Sequence, residues 1–571
     1  MLHITPRSLV SVLLAGVLAA CGSDLSGEGG GAAGDLTEAL YAPARILDVD
    51  IELPAEDWDA LRNQTRLFYD TFSGECTSSP FDSPFSWFEG SVTIDGEYLA
   101  QVDVRKKGFI GSLSSERPGL KLDLGEFVEG QTYSGARRLT LNNSVGDPSY
   151  VRQCVGYSAF RRAGIAAPRC NFARVSVNGE DLGLYVNVEP LKRPFLERAF
   201  GSAEGNLYEG TVSDFTEAEV YMLEPKNHEE TWEGPGTIRD DVRWLLDALA
   251  VDDDQLLEAL EAVLDLDEFY TYWAMEALLE HTDGYAANRN NYYVYADPAD
   301  GRFRFVPWGI DLILGGPIVV DELPESVYAR TALVNRLYAH EEGRQRYFER
   351  LREMLDGGAW DEAAMRAEID TIEAAFLTID APDEVRARVQ AEIERVRSSI
   401  DERRPAIEAE LAAAEPEPQA ATDPITCADD IGSVDLTFDA TWGSLQDEDY
   451  ESADVELTAS LNGEDLAFPW VGLAVGDGDE GEKNQLRLIG AYSEAQSFWF
   501  IFALDERFGV GPIRVDFFGV YGGVFWFDAS AMPQFVPAGT LGGWLTLDEA
   551  GEEPGDRVSG RAEMRWYVWG E

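Results

Sequence analysis

Short runs of alternating apolar and polar residues fill the chain from about residue 45 to about residue 190: RILDVDIELP, SVTIDG, YLAQVDVRKKG, LKLDLGE and RRLTLNN. A period of two sends one set of side chains to a buried face, so these runs predict antiparallel strands separated by Gly and Asn turns. One helix interrupts them. It starts at Asp147-Pro148, an acidic cap with proline in the first turn, and runs through VRQCVGYSAFRRA to Gly164. NFARVSVNG and DLGLYVNVE then predict a hairpin around Asn178-Gly179.

After Glu189 the period changes. From about residue 191 to residue 412, apolar residues recur at three- and four-residue spacing, as in DDVRWLLDALA and DEFYTYWAMEALLEH, which predicts a mainly helical region. One hairpin, NYYVYADPADGRFRFVPW, turns on Pro-Asp-Gly inside it. An Ala/Pro/Glu linker occupies 413–427. Strands return over 428–571, in VDLTFDATW, SFWFIFAL and RAEMRWYVWG, and predict an independent all-β sandwich or barrel. The fold class expected is α+β, a strand-rich lobe and a helical lobe over 41–412 followed by the β domain. No internal repeat is evident.

Length and composition narrow the classes. A chain of 571 residues exceeds one core, and two or three domains are expected. Its 14 Trp and 28 Phe supply packed interiors. The formal charge of −60, from 45 basic and 105 acidic residues, repels nucleic acid and anionic membrane surfaces, so neither is an expected partner. The acidity reads first as a solubility adaptation and second as attraction to basic substrates or divalent cations.

The N-terminus supplies an address. Arg7 precedes the apolar run LVSVLLAGVLAA, too short for a permanent membrane span, and the run ends in Leu-Ala-Ala-Cys21, which resembles a bacterial lipobox. Residues 1–21 are therefore expected to be a lipoprotein signal peptide with Cys21 as the lipidated residue, and 22–40 a Gly-rich tether. Residue 23 is Ser, not the Asp that retains lipoproteins at an inner membrane, so the expected location is the cell envelope, at the outer membrane or surface. Contact with the membrane would be through the lipid alone. Cys76, Cys154, Cys170 and Cys427 remain, enough for two disulfides in one of three connectivities. With four His and no CxxC pair, a structural zinc or a thiol catalyst is not expected.

The chemistry concentrates in HTDGYAANRNNYYVY, residues 281–295. Asp283 and Asn288 stand five apart, directly after an amphipathic helix and directly before the hairpin, whose second strand FVPW leads to Asp311. Phosphoryl transfer needs a carboxylate at the attacking hydroxyl, an amide oxygen and a carboxylate on a metal, and a cation on the phosphates. The H-x-D-x4-N spacing is that of a kinase catalytic loop.

DGYAANRNNYYVY with FVPWGID, VRKKGFIGSLSSERPGLKLDL, and LTLNNSVGDPSYVRQCVGYSAFRRAGIAAPRCNFARVSVNGEDLGLYVNVE together resemble the CotH kinase family, secreted kinases related to spore-coat protein H. The resemblance covers about residues 45–410. It implies a divergent kinase-like fold that uses ATP and Mg2+ or Mn2+ to phosphorylate Ser or Thr of extracytoplasmic proteins. Carried over, Asp283 is the catalytic aspartate, and Asn288 and Asp311 hold the metal. For ATP, Lys121 contacts the phosphates with Arg105 as a second cation, Gly108 and Gly111 of KGFIGS cover them, and Glu189 meets adenine at the hinge. The alternatives are a solvated strand lysine at 121, an ordinary strand connection at KGFIGS and an exposed hinge carboxylate at 189.

Two departures stand out. The family often shows Pro-Trp-Asp-x-Asp, whereas this chain has Pro307-Trp308-Gly309-Ile310-Asp311. The helix of the first lobe holds no Glu to pair with the phosphate lysine, which leaves Asp147 or a carboxylate elsewhere for that role. His281 reads as a helix-end or packing residue, and Asn290 and Asn291 either line the site or begin the strand. GDGDEGE at 476–482 reads as a solvated loop, and the Trp and Tyr of the last domain as core with carbohydrate stacking as the alternative. Two functions are thus expected to compete: an active surface kinase, and an inactive kinase-like scaffold or adhesin whose β domain binds a glycan or protein.

Overall fold

The computed structural model describes residues 35, 37–228, 231–478, 484–504, 507–517 and 519–570. Cys21, the signal peptide and the tether up to residue 34 lie outside the described residues, as does most of GDGDEGE.

The alternating runs of the first region close on themselves. β1 (Ile46–Glu52), β2 (Trp87–Ile94), β3 (Glu97–Lys107), β4 (Gly119–Asp123), β5 (Arg138–Asn142), β6 (Cys170–Val177) and β7 (Glu180–Val188) form a closed barrel in the order β1-β2-β3-β4-β5-β7-β6. β1 pairs parallel with β6, which closes the ring. Its strict in–out alternation sends Leu47, Val49 and Ile51 into a core with Val92, Val104, Leu122 and Val175. The helix Arg152–Arg162 follows β5, and the disulfide Cys154–Cys170 ties it to β6.

The helical region packs around Trp273, Tyr285, Tyr347 and Trp360, all fully buried. Its hairpin, β10 (Tyr292–Asp297) and β11 (Arg302–Pro307), does not stand alone as expected. β8 (Leu207–Gly210) and β9 (Glu224–Pro225) extend it into a four-stranded sheet in the order β11-β10-β8-β9. Strands of four and two residues are too short to leave a periodic signal.

The last region is one ten-stranded antiparallel sheet over residues 428–569, in which the end of β12 (Ala428–Thr441) meets the strand Trp470–Gly476 through the bridge Trp442↔Val475. The sheet thereby curls around its own core of Leu436, Leu488, Phe500, Val524 and Trp566. The segment before it is no free spacer. Cys427 is disulfide-bonded to Cys76, Ala428 N donates to Phe72 O at 2.7 Å, and Tyr567 stacks on Tyr69 with centroids 5.3 Å apart.

Candidate functional site

A cleft of 510 Å³ lies between the barrel wall and the β10–β11 sheet. Seven of its lining side chains are Lys or Arg and three are carboxylates, Glu209, Glu224 and Asp311, in a chain whose overall charge is −60. The barrel face explains part of this. Arg105 on β3 stands opposite Lys121 on β4, and Lys121 opposite Thr140 on β5, while Lys107 stands opposite Gly119. Alternation turns Arg105 and Lys107 to one side and Lys106 to the other, where its ammonium donates to Arg62 O at 2.6 Å.

These cations crowd one another. Burial among protein atoms pushes the Lys121 ammonium down to about 7, helped by Lys226, Arg105 and Lys107, with Glu209 opposing. Burial likewise pushes Lys107 down to about 8, against the pull of Asp311 and Glu209. Lys226 is bridged to Glu209 and Glu224 at 2.7 Å each. Arg105 lies over the Trp87 ring, 4.8 Å from its centroid. An ammonium held below its ordinary range by burial, and at Lys121 by neighbouring cations as well, is favoured in its charged form by a polyanion placed beside it.

Sequence reasoning chose Lys121 and missed Lys107. Lys107 donates to Asn142 Oδ1, and Asn142 Nδ2 donates to Gln153 Oε1 at 2.7 Å. Gln153 is on the helix Arg152–Arg162, so two carboxamides tie Lys107 to the helix that holds no Glu. Asp147 does not take that place. It is 1% exposed and receives Arg152 Nη1 at 2.6 Å, while Arg152 Nε donates to Ile313 O at 2.8 Å, two residues past Asp311.

Across the cleft, the loop that carries Asn290 and Asn291 is held from beneath by the buried helix Leu266–Leu278. Near its end, Glu276 reaches the loop that follows: its Oε1 accepts from Tyr285 N at 2.9 Å and its Oε2 from Ala286 N at 2.7 Å, capping the short helix Tyr285–Asn288. A carboxylate in the otherwise apolar YWAMEALL was the available signal for this buried cap. His281 is fully buried beneath the loop, 3.5 Å from Glu276 Oε1. Three carboxamides then converge on Asp283. Asn288 Nδ2 donates to Oδ1 at 2.7 Å, Asn290 Nδ2 to Oδ1 at 3.2 Å, and Asn291 Nδ2 to Oδ2 at 2.7 Å. Asn290 and Asn291 line the cleft, and Asp283 and Asn288 stand directly behind them.

Asp311 lines the cleft four residues past the end of β11. Burial pushes its carboxyl up to about 6, and the charges of Asp147 and Asp283 push the same way while Lys107 opposes. Gly146 lets the loop before the helix approach, since a Cβ there would lie 2.9 Å from Asp311 Oδ2. Gly309 has φ +56°, and a Cβ there would collide with Asn291 Oδ1. The carboxylate absent at 309 is thus matched by a carboxamide filling its space.

Two sequence assignments need correction. Glu189 does not face the cleft: Arg169 Nη2 donates to its Oε1 at 2.7 Å and Arg198 Nη2 to its Oε2 at 2.6 Å, a pairing that leaves Pro190, Leu191 and Lys192 to line the hinge. Gly108 lines the cleft, but Gly111 sits in the 3-10 turn Ile110–Ser112 and is not among the lining residues. The structure therefore brings together Asp283, Asn288, Asp311, Lys121, Arg105 and Gly108, and adds Lys107, Asn142, Gln153 and Asn291.

Among the described residues, no three His, Cys, Asp or Glu side chains converge as a closed metal cage. Mg2+ and Mn2+ do not require one. They take one or two carboxylates, with substrate phosphates and water completing a hard oxygen set. Asp311, a buried carboxylate in the cleft that feels the charge of Asp283, fits such an ion.

Comparison with known proteins gives the family. The sequence model described as "CotH kinase protein" matches residues 104–404. Inner spore coat protein H of Bacillus subtilis (strain 168) is 26% identical over 203 residues, 34% of this chain and 54% of that protein. An inner spore coat protein H-like protein of the same organism is 33% identical over 67 residues, 12% of this chain and 22% of that protein. The chain thus spans about half the length, or less, of these curated relatives. Among solved structures, the Helicobacter pylori proinflammatory kinase CtkA overlaps 51% of this chain and 90% of its own at 10% identity and a TM-score of 0.22. The Shewanella oneidensis MR-1 toxin–antitoxin complex of HipA, HipB and operator DNA overlaps 66% and 76% at 12% identity and a TM-score of 0.26. At such scores the sequence match carries the conclusion. That match takes in more than half of the 571 residues and includes Lys107, Lys121, Asp283, Asn288 and Asp311, so the chain belongs to the CotH kinase protein family.

Proposed function

We propose that the protein is an ATP- and divalent-metal-dependent protein kinase that phosphorylates Ser or Thr of extracytoplasmic proteins, with the barrel and helical regions acting as two lobes about the cleft. The observation that carries this reading is the reversal of charge in the cleft, seven cations against three carboxylates in a strongly acidic chain, set beside Asp283 and Asp311. Lys107, Lys121 and Arg105 would hold the ATP phosphates. Asp283, fixed by its three carboxamides, accepts the proton of the acceptor hydroxyl as that oxygen bonds to the γ-phosphorus and the bond to the bridging oxygen breaks, releasing ADP. Asp311 and Asn288 would hold Mg2+ or Mn2+, which supplies neutralisation of phosphate charge when bound. The lipobox Cys21 supports an address at the cell envelope, and ATP would have to be available there.

The test is phosphate transfer from radiolabelled ATP by the purified protein with magnesium or manganese. Asp283→Asn and Asp311→Asn are expected to lower transfer by about a thousandfold while the fold persists. Nucleotide binding that is indifferent to Asp311→Asn, with no transfer by the wild type, would sink the kinase reading. It would favour the second reading, an inactive scaffold whose β domain binds a glycan or protein, which Gly309 motivates.

A further inference from the structure

The segment 416–427 is laid along the helical region by a series of specific bonds. Tyr338 OH donates to Pro416 O at 2.6 Å, Asn335 Nδ2 to Gln419 O at 2.9 Å, and Ala329 N to Gln419 Oε1 at 3.1 Å. Thr422 N donates to Arg330 O at 2.8 Å, and Arg330 N donates to Ala286 O at 3.0 Å, inside the short helix behind Asp283. The segment next meets Arg289, the residue after Asn288, held at φ +49°. Arg289 Nη1 donates to Asp423 O at 2.8 Å and to Glu219 Oε1 at 2.6 Å, and the same Glu219 oxygen accepts from Ile425 N at 2.8 Å. Glu219 is 1% exposed, so this is a buried carboxylate joining one guanidinium to one stretch of backbone. Beyond it, Ile425 and Cys427 pack on the cluster of Phe72, Cys76 and Ile110, on which Phe109 and Val212 also pack, and the disulfide to Cys76 closes the path. Phe109 borders the cleft next to Gly108, and Val212 N donates to Asn290 Oδ1 at 3.2 Å.

We infer that residues 416–427 are a positioning strap for the catalytic loop, in which Glu219 clamps Arg289 to the strap and the Cys76–Cys427 disulfide locks its far end. The inference rests on the kinase reading for what the loop does, but not for how it is held. A left-handed residue between Asn288 and Asn290 sets where both carboxamides point, and an Arg in that conformation persists only where its surroundings over-determine it. Glu219 and the strap supply those surroundings. The strap therefore joins both walls of the cleft: the asparagines that hold Asp283, and the Gly108–Phe109 turn.

Hydrogen exchange on the full-length protein, with thermal unfolding as control, tests this. Glu219→Gln keeps the shape of the clamp and weakens its charge-assisted bonds. Cys76→Ser/Cys427→Ser leaves Glu219 intact and frees the end. In both variants, exchange of amides 285–291 is expected to rise about tenfold while amides 428–570 keep their protection. With ATP and manganese, Glu219→Gln is expected to lower the transfer rate about tenfold with ATP affinity within about twofold, because the loop positions the acceptor side and not the nucleotide. Unchanged exchange at 285–291 in both variants overturns the strap, as does a rise shared with the whole β domain. If the wild type neither binds nor uses ATP, the kinase reading falls, and the exchange result still decides the strap.

Discussion

Asn291 holds Asp283 twice, donating from one amide nitrogen to the carboxylate at 2.7 Å and to the backbone carbonyl at 3.0 Å. Its other side-chain atom, Oδ1, occupies the space above Gly309. Gly309, where the family often has the first Asp of Pro-Trp-Asp-x-Asp, and the asparagine that holds Asp283 are therefore two halves of one arrangement.

Restoring the family's residue should then harm this protein. Gly309→Asp places a side chain at φ +56° and drives its Cβ into Asn291. The backbone conformation alone costs about 1–3 kcal/mol, and displacement of Asn291 loosens Asp283. A lower melting temperature and slower phosphate transfer are expected. A variant that is both as stable and faster would show that Gly309 is a lesion in the site.

The two cleft lysines should separate in their effects. Lys107 is tied through Asn142 to the helix and feels Asp311, whereas Lys121 sits among Lys226, Arg105 and Glu209. Lys107→Met is expected to lower kcat by about a hundredfold, and Lys121→Met to raise the ATP Kd about tenfold with a smaller loss in kcat. Steady-state kinetics beside nucleotide titration reads both. Equal effects on Kd alone would mean that neither lysine acts on the reacting phosphate.

Much of the fold was legible because long elements announce themselves: β1 alternates without a break, and the apolar spacing of Leu266–Leu278 marks a buried helix. The nearness of Asp283, Asn288 and Asp311 was legible through spacing and order. What escaped notice is what spacing cannot encode. Glu189 reads as a hinge carboxylate until Arg169 and Arg198 are seen to hold it. Lys107 and Lys121 differ only in what faces them across a barrel whose closure depends on the long-range pairing of β1 with β6. Residues 413–427 have linker composition, yet their backbone groups are bonded to partners spread from Glu219 to Tyr338.

Anion binding should be coupled to protonation. In the free protein Lys121 is held near 7 and Lys107 near 8, and a polyphosphate among them would raise both. Affinity is then greatest below the free-state values and falls as pH rises through them, with protons taken up on binding. Calorimetry of ATP binding from pH 7 to 9 (in buffers of different ionisation enthalpy) should show net proton uptake of about one per ATP near pH 8. Proton release over that range would place the phosphates elsewhere.

The buried pair Asp147–Arg152 fixes the remaining side of the site. Both side chains are 1% exposed at 2.6 Å, and Arg152 Nε reaches Ile313 O, so the pair links the start of the helix Arg152–Arg162 to the segment carrying Asp311. Removing one partner of such a pair leaves a buried charge uncompensated, a loss of about 3–5 kcal/mol. Asp147→Asn strips the charge from Arg152's partner while keeping its size, so a loss toward the low end is expected, read by denaturant titration. Arg152→Met removes the cation and its bond to Ile313 O together, leaves Asp147 charged beside Asp311, and raises the Asp311 carboxyl further. The optimum for metal-dependent transfer should then move to higher pH in Arg152→Met and stay in place or fall in Asp147→Asn. An identical pH profile in the two variants would confine the pair to holding the helix in place.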